Sequence, residues 1–168
     1  SADQEGHVAA VTDEGGLYLL RNGEIIAQWE KRPMQAAYSC CMFDQSGKLY
    51  VGRTDNVIEV YEPSGKIWKN TQVIKCGSLS NIKSLKRSED GEIFICADNG
   101  AGYLNAKNVY QDINTNKFNS SIDHMLIDYQ GNLWFTSSRL GLFRMCKSVF
   151  TEIFTEVGLD EDVVNTVT

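Results

Sequence analysis

The sequence Asp128-Tyr129-Gln130-Gly131-Asn132-Leu133-Trp134-Phe135 places a turn directly before an aromatic-rich strand, and the chain contains it in two further versions. These are Asp44-Gln45-Ser46-Gly47-Lys48-Leu49-Tyr50-Val51 and Ser88-Glu89-Asp90-Gly91-Glu92-Ile93-Phe94-Ile95. The turn glycines stand at 47, 91 and 131, which is 44 and then 40 residues apart. A period near 40 with several short strands in each unit is typical of β-propeller blades. One blade cannot bury both of its faces alone, so the repeat predicts a set of packed sheets.

Turn residues divide each unit into four short strands. One strand precedes the turn, the aromatic strand follows it, a polar elbow leads to the third strand, and a more variable fourth strand ends the unit. We therefore predict an all-β fold, a partial β-propeller of four-stranded antiparallel blades forming one domain over 1–168. About three blades are whole, the last of them with its fourth strand around Val149–Phe154, and a blade at each end is incomplete. The predicted pieces are about 5–31, 34–74, 78–116, 119–156 and 160–168.

The incomplete end blades pose a packing problem, because a partial ring exposes an apolar flank at each end. Three solutions are open. The remaining blades of a larger propeller cover the flanks, or a second copy of the chain does so, with roughly 3.5 blades from each copy in a ring of about seven. In the third, the last strand completes the first blade and closes a four-bladed ring.

Composition and charge limit the function classes. The chain has 168 residues, is 42% apolar and 23% charged, and carries a formal net charge of −6. This acidic balance argues against a nucleic-acid partner, since such proteins present basic surface to phosphate. Only two prolines occur, so no proline-rich linker divides the chain. No apolar run approaches the roughly 20 residues of a membrane helix, so we expect no membrane segment within this chain.

Cysteine and histidine give no sign of a metal, cofactor or disulfide framework. The five cysteines are an odd number without CxxC spacing, and only two histidines occur. Neither pattern matches a zinc site, and small buried thiols are the ordinary alternative. We therefore predict no metal, no cofactor and no catalytic residues.

A family resemblance rests on residues 121–145. Ile122–Thr136 followed by Gly141-Leu142-Phe143-Arg144 closely resembles the regulator-propeller repeat, in which an apolar strand leads to Asp-x-x-Gly-Asn-Leu-Trp and then to Gly-Leu-aromatic-Arg. The resemblance implies a non-catalytic, extracytoplasmic ligand-sensing module of a bacterial membrane-bound signalling protein, either a histidine kinase or a cyclic-dinucleotide synthase. It further implies a small-molecule ligand such as a carbohydrate.

Candidate binding residues come from the polar elbows and from the loops that enter each first strand. In a propeller these segments gather on one face, and they differ between units as binding loops do. Arginine and asparagine side chains there can make directional hydrogen bonds to hydroxyl or carboxylate groups. The candidates are Arg53, Asp55, Asn81, Asp98, Asn99, Asn119 and Arg139.

Trp134 and His124 are expected to have structural roles. We expect Trp134, like Tyr50 and Phe94 at equivalent positions, to fill the space between adjacent blades. We expect His124 to share a strand face with Ile122 and Leu126. Two alternatives to a sensor stay open, a propeller enzyme with a His/Glu/Asp cluster in its channel and a protein-interaction scaffold.

Overall fold

The computed structural model describes residues 1–31, 34–65 and 67–146, and this part of the chain consists of strands and turns without a helix. Fourteen strands form four antiparallel sheets, each sheet built from consecutive strands. The predicted all-β propeller fold is confirmed in these residues. Within the same residues, no helix has the length and apolar character required to cross a membrane.

The four sheets follow one another along the chain. The first contains β1 (His7–Val11), β2 (Leu17–Arg21) and β3 (Glu24–Trp29). The second contains β4 (Tyr38–Phe43), β5 (Leu49–Arg53), β6 (Val57–Ser64) and β7 (Ile67–Lys75). The third contains β8 (Ile82–Arg87), β9 (Ile93–Ala97), β10 (Gly100–Leu104) and β11 (Tyr110–Ile113). The fourth contains β12 (Ile122–Ile127), β13 (Leu133–Ser137) and β14 (Gly141–Met145).

In two of the three repeated turns an aspartate accepts hydrogen bonds from nearby backbone N–H groups, and in the third Ser88 Oγ accepts from Glu92 N at 3.1 Å. Asp128 Oδ1 accepts from the N–H groups of Gln130 and Asn132, both at 2.9 Å. Asp44 repeats the pattern with Ser46 and Lys48 at 2.8 and 2.9 Å. The glycine that follows has φ between 80° and 89° in each copy, a conformation that glycine adopts without steric penalty.

A fourth copy of this turn lies at the chain start, where the sequence pattern did not reveal it. Asp3 Oδ1 accepts from the N–H groups of Glu5 and His7 at 2.9 and 2.8 Å, and Gly6 has a φ of 82°. The short segment before it pairs antiparallel with β1 through a bridge between Ala2 and Val8.

The sheets stack face to face through three apolar clusters. Successive residues of a strand point to opposite faces, so Tyr50 packs toward the third sheet while Leu49 and Val51 pack toward the first. The third cluster joins the third and fourth sheets around Phe94 and Phe135. The first strands β4, β8 and β12 contact one another in sequence, which places them on the inner side of the stack.

Backbone hydrogen bonds link each elbow to the entry of the next sheet. The N–H groups of Tyr38, Asn81 and Ser121 donate to the carbonyl oxygens of Gly15, Thr54 and Asp98 at 3.2, 3.1 and 2.6 Å. This repetition gathers elbows and entry segments at one end of the sheets, as the sequence predicted. The predicted strand around Val149–Phe154 and the piece 160–168 lie outside the described residues, so the fourth sheet has three described strands.

Candidate functional site

The candidate site is a cleft of about 620 Å³ between the first and second sheets, at the end where the elbows lie. This volume falls within the range of small-molecule sites in proteins. The cleft is lined by Gln28, Trp29, Glu30, Lys31, Gln35, Ala36, Tyr38, Arg53, Glu59, Tyr61 and Asn70.

Three aromatic side chains form the apolar part of the cleft. Trp29 ends β3 of the first sheet, whereas Tyr38 begins β4 and Tyr61 lies on β6 of the second sheet. The rings of Trp29 and Tyr61 meet across the sheet boundary, with centroids 4.7 Å apart and planes inclined at 53°. Trp29 is half-buried, so part of its ring surface remains available to a ligand. Large rings with a polar edge suit recognition of a ligand that has both apolar and polar surface.

The polar part of the cleft is organised around the carboxylate of Glu59, which is only 9% exposed. Its Oε2 accepts hydrogen bonds from the Tyr61 hydroxyl at 2.6 Å and from Asn70 Nδ2 at 3.0 Å. Its Oε1 accepts from Arg53 Nη1 at 2.7 Å. A buried carboxylate requires such partners, because an unpaired charge in this position loses its hydration without compensation.

Arg53 stands between two carboxylates. Besides its bond to Glu59, it donates from Nη2 to Asp55 Oδ2 at 2.7 Å. Burial opposes the charge on Arg53, but hydrogen bonding and attraction from Glu59 and Asp55 outweigh it and raise the pKa of Arg53. Arg53 Nε is buried and has no hydrogen-bond partner within the described residues.

Both tyrosine hydroxyls stay protonated at neutral pH. Burial raises the pKa of Tyr61, and its hydrogen bonds to Glu59 and Tyr38 act in the same direction. Burial likewise raises the pKa of Tyr38, whose hydroxyl lies 2.9 Å from the Tyr61 hydroxyl. The cleft therefore offers neutral hydroxyl and amide groups beside the paired charges of Arg53 and Glu59, an arrangement suited to hydrogen bonding.

A second polar cluster involves two more of the predicted residues. Lys83 Nζ lies 2.9 Å from Asp98 Oδ1 and 2.7 Å from Asp123 Oδ1, so it bridges the third and fourth sheets. Asn81 Nδ2 donates to Asp98 Oδ2 at 2.7 Å. Hydrogen bonds from Lys83 and Asn81 lower the pKa of Asp98, and Arg139 adds a weaker attraction. This cluster does not contact the cleft and acts as a link between sheets.

The remaining predicted residues take separate positions. Asn99 holds the entry loop of the third sheet, because its Oδ1 accepts from Ser80 N at 2.8 Å and its Nδ2 donates to the Ser78 carbonyl at 2.7 Å. Asn119 and Arg139 are exposed. The structure thus places Arg53 in the cleft wall, Asp55 outside the wall but paired with Arg53, and the other five residues elsewhere.

Sequence reasoning missed the strand residues of the cleft, namely Trp29, Tyr38, Glu59, Tyr61 and Asn70. One signal was present in Val57-Ile58-Glu59-Val60-Tyr61, where a single carboxylate interrupts an apolar strand. Acidic side chains are rarely buried unless paired, so this position pointed to a partner on a neighbouring strand.

His124 lies on an outward-facing side of β12 in the fourth sheet. A β-bulge between Ile122 and His124 breaks the alternation, so Ile122 is buried while His124 and Leu126 face outward. The expectation that His124 shares a face with Ile122 is therefore wrong. Around His124 the surface is formed by Leu126, Trp134, Thr136 and Leu142. In the residues with a described position, no group of three or more His, Cys, Asp or Glu side chains forms a metal site.

Comparisons with known proteins address the fold. No family model matches the chain, and no curated protein matches its sequence. The extracellular domain of a putative hybrid two-component system from B. thetaiotaomicron superposes with a TM-score of 0.61 at 18% identity, over 83% of this chain and 18% of that chain. A streptogramin B lyase gives a TM-score of 0.63 at 16% identity, over 87% and 53%.

A third similar structure is the WD40 β-propeller domain of Doa1, with a TM-score of 0.67 at 15% identity over 83% of this chain and 46% of that chain. The chain thus spans about half the length of the lyase and of the Doa1 domain, and less than a fifth of the two-component domain. At these identities the similarity establishes the propeller fold, which in these proteins accompanies different functions.

Proposed function

We propose that this chain is a ligand-sensing propeller module of a bacterial signalling protein, acting outside the cytoplasm and without catalysis. The cleft between the first and second sheets is its binding site. The resemblance of residues 121–145 to the regulator-propeller repeat supports the signalling role. The similar fold in the extracellular domain from B. thetaiotaomicron supports the same location.

The observation that carries the binding role is the composition of the cleft wall. Half-buried Trp29 presents ring surface from the first sheet and rests against the buried ring of Tyr61 on the second, and Asn70, Glu59 and Arg53 place fixed hydrogen-bonding groups beside them. A concave site of this volume with a few convergent polar groups is the usual form of a small-molecule pocket.

The ligand class that fits this wall is a small polar molecule with one apolar face, such as a carbohydrate. A sugar ring presents C–H groups that pack on an aromatic face, while its hydroxyls pair with amide and carboxylate groups. The charged residues that line the cleft are two acidic, Glu30 and Glu59, and two basic, Lys31 and Arg53, so the wall has no net charge that would select an ion.

Signal transmission follows from the position of the cleft between two sheets. A ligand that contacts Trp29 on the first sheet and Asn70 on the second favours one relative arrangement of these sheets. Binding therefore shifts the population of propeller arrangements, and a downstream output element responds to that shift. The energy available for the shift equals the difference in ligand affinity between the two arrangements.

The test is calorimetric titration of the chain with a panel of mono- and oligosaccharides. For a sugar that binds, Trp29→Ala is expected to weaken affinity by about tenfold or more, since aromatic anchors commonly contribute 1.4 kcal/mol or more. Tyr129→Ala, which removes a 95% exposed ring outside the cleft, is the matched control and should leave affinity unchanged.

A second pair of variants separates the cleft from the cluster around Lys83. Asn70→Ala should weaken binding, whereas Asp98→Ala should retain wild-type affinity because Asp98 lies outside the cleft. The proposal fails if affinity falls with Asp98→Ala but not with Asn70→Ala, or if no carbohydrate in the panel binds.

A further inference from the structure

The polar wall of the cleft contains a chain of hydrogen bonds that has a defined direction. The chain runs from the buried Glu59 carboxylate through the buried Tyr61 hydroxyl to the half-buried Tyr38 hydroxyl. Each hydroxyl has one proton to donate, so the direction of that proton decides what the next group is offered. The direction at Tyr38 decides what a ligand in the cleft meets.

Glu59 sets this direction, because an ionised carboxylate only accepts hydrogen bonds. Its Oε1 lies 2.7 Å from Arg53 Nη1, which pairs the carboxylate with a guanidinium that keeps its protons. The Tyr61 oxygen lies 2.6 Å from Glu59 Oε2, the usual distance for a hydroxyl that donates to a carboxylate. Tyr61 therefore donates to Glu59 and has no proton left for another partner.

The Tyr38 proton is used inside the same network. The Tyr38 oxygen lies 2.9 Å from the Tyr61 oxygen and 3.4 Å from Glu59 Oε2. Since the Tyr61 proton already goes to Glu59, the Tyr61 oxygen can only accept from Tyr38. Turning the Tyr38 proton toward the cleft would leave oxygen lone pairs facing each other across 2.9 Å. Tyr38 therefore keeps its proton inside the network and has only lone pairs for a ligand.

We propose that Tyr38 is a hydrogen-bond acceptor that selects ligands with an O–H or N–H donor beside it. The selection rests on the proposed function, because it needs a ligand in the same cleft. A free hydroxyl satisfies the Tyr38 oxygen, whereas an ether oxygen or a fluorine at the same place meets a lone pair. To bind such a group, Tyr38 has to give up its hydrogen bond to Tyr61. Among carbohydrates, the cleft therefore selects those with an unsubstituted hydroxyl beside Tyr38.

Asn70 does not share this discrimination. Its Nδ2 donates to Glu59 Oε2 at 3.0 Å, and this bond orients the amide. In the described residues the second N–H and the Oδ1 atom make no further hydrogen bond, so Asn70 can meet a donor or an acceptor. The preference for a donor therefore belongs to Tyr38.

The proton arrangement is tested in the unliganded chain by NMR, with tyrosine labelled with ¹³C at Cζ. The Tyr61 hydroxyl proton is expected far downfield and in slow exchange with water, because it is buried and shared with a carboxylate. The Tyr38 proton should exchange more slowly than that of Tyr129, whose 95% exposed ring is the control. Equal exchange rates for Tyr38 and Tyr129 overturn the proposal, whatever binds in the cleft.

The selection is tested by calorimetric titration with the methyl glycosides of glucose, galactose and mannose and with their monodeoxy-fluoro analogues. Fluorine replaces a hydroxyl at similar size but has no proton to donate. The analogue fluorinated at the hydroxyl beside Tyr38 should bind about three- to tenfold more weakly than its parent, the effect of one lost hydrogen bond. Tyr38→Phe should remove this difference, so that parent and analogue bind equally.

The outcomes separate the acceptor role of Tyr38 from the binding role of the cleft. If every fluoro analogue binds as tightly as its parent while Trp29→Ala still weakens binding, the acceptor role is wrong and the cleft remains a site. If none of the glycosides binds, monosaccharide recognition by the cleft is wrong, and the NMR measurement decides the proton arrangement by itself.

A variant of the same shape reverses the direction of the hydrogen-bond chain. Glu59→Gln should keep an oxygen toward Arg53 and place its NH₂ group toward Tyr61. The amide then donates to the Tyr61 oxygen, the Tyr61 proton turns to Tyr38, and the Tyr38 proton turns to the cleft. The variant should lose the preference for the parent glycoside, whereas Glu62→Gln on the same strand but outside the cleft should keep it. An unchanged preference in a Glu59→Gln chain with a cooperative thermal transition overturns the proposal.

Discussion

At the scale of single residues, the pairing of Glu59 with Arg53 is the arrangement on which the candidate site depends. Both side chains are largely buried, with 12% and 19% of their side-chain surface exposed. Removing one partner of such a pair leaves the other without compensation, and this costs more than the pair contributes to stability. Glu59 also fixes the Tyr61 hydroxyl and the Asn70 amide, so one carboxylate orients two groups of the cleft wall.

Glu59→Leu is therefore expected to lower the free energy of unfolding by about 2–4 kcal/mol, because Arg53, Tyr61 and Asn70 lose their acceptor. The double variant Arg53→Met with Glu59→Leu should recover part of that loss. Glu62→Leu, which removes a more exposed carboxylate from the same strand, should change stability by no more than about 1 kcal/mol. Urea unfolding measures the free energy of unfolding of the wild type and of the three variants. Equal losses for Glu59→Leu and Glu62→Leu would contradict the role given to Glu59.

At the scale of the element, the Asp-x-x-Gly turn combines a repeated geometry with a pH-dependent group. In the fourth sheet, hydrogen bonds from Trp134 and Asn132 lower the pKa of Asp128 to about 2. An unfolded chain has an aspartate pKa near 3.9. A pKa that is lower in the folded state stabilises the fold above about pH 4, and that stabilisation is lost as the pH falls toward 2.

Asp128→Asn should therefore make the loss of stability between about pH 4 and pH 2 shallower than in the wild type. Asparagine keeps an oxygen for the turn N–H groups but has no second oxygen for Trp134 Nε1. Thermal unfolding followed by circular dichroism across this pH range measures the difference. Parallel melting-temperature curves for the two proteins would show that Asp128 has no such linkage.

At the scale of the whole molecule, stability comes from stacking sheets whose packed faces carry small and apolar side chains. Cys76 lies in the apolar cluster between the second and third sheets, and Cys96 lies in the cluster between the third and fourth. Both are fully buried, whereas Cys146 is exposed. Burial raises the pKa of Cys76 to about 12 and that of Cys96 to about 11, so neither thiol is reactive while its sheets stay packed.

Thiol labelling at pH 8 reports whether the sheets separate together. Cys146 should react rapidly, while Cys76 and Cys96 should react only as fast as the chain unfolds and at rates equal to each other. Mass spectrometry of digested samples assigns each label, and Cys146→Ser confirms the origin of the fast phase. Rapid labelling of Cys96 with protection of Cys76 would show that the fourth sheet opens by itself.

The sequence by itself determined the propeller fold and most of its strand order. The signal is local, because an aspartate, a glycine and the strand that follows lie within one short segment, and their hydrogen bonds close inside that segment. The turn at Asp3–Gly6 was not predicted, and the reason is equally local. Its strand carries Ala9 at the place of Tyr50, Phe94 and Trp134, so the aromatic mark is missing.

Only the tertiary structure decided where the cleft lies and which residues form it. Trp29 and Tyr61 belong to different sheets, and their contact depends on how one sheet rotates onto the next. The direction and the burial of two strand side chains also depended on the tertiary structure. The bulge at Ile122/His124 reverses the predicted face of Ile122, and Trp134 is half-buried where its counterparts Tyr50 and Phe94 are buried, because no described sheet lies beyond it. Strand periodicity fixes the two faces of each sheet, whereas the partner of each face is set by packing between segments distant in the chain.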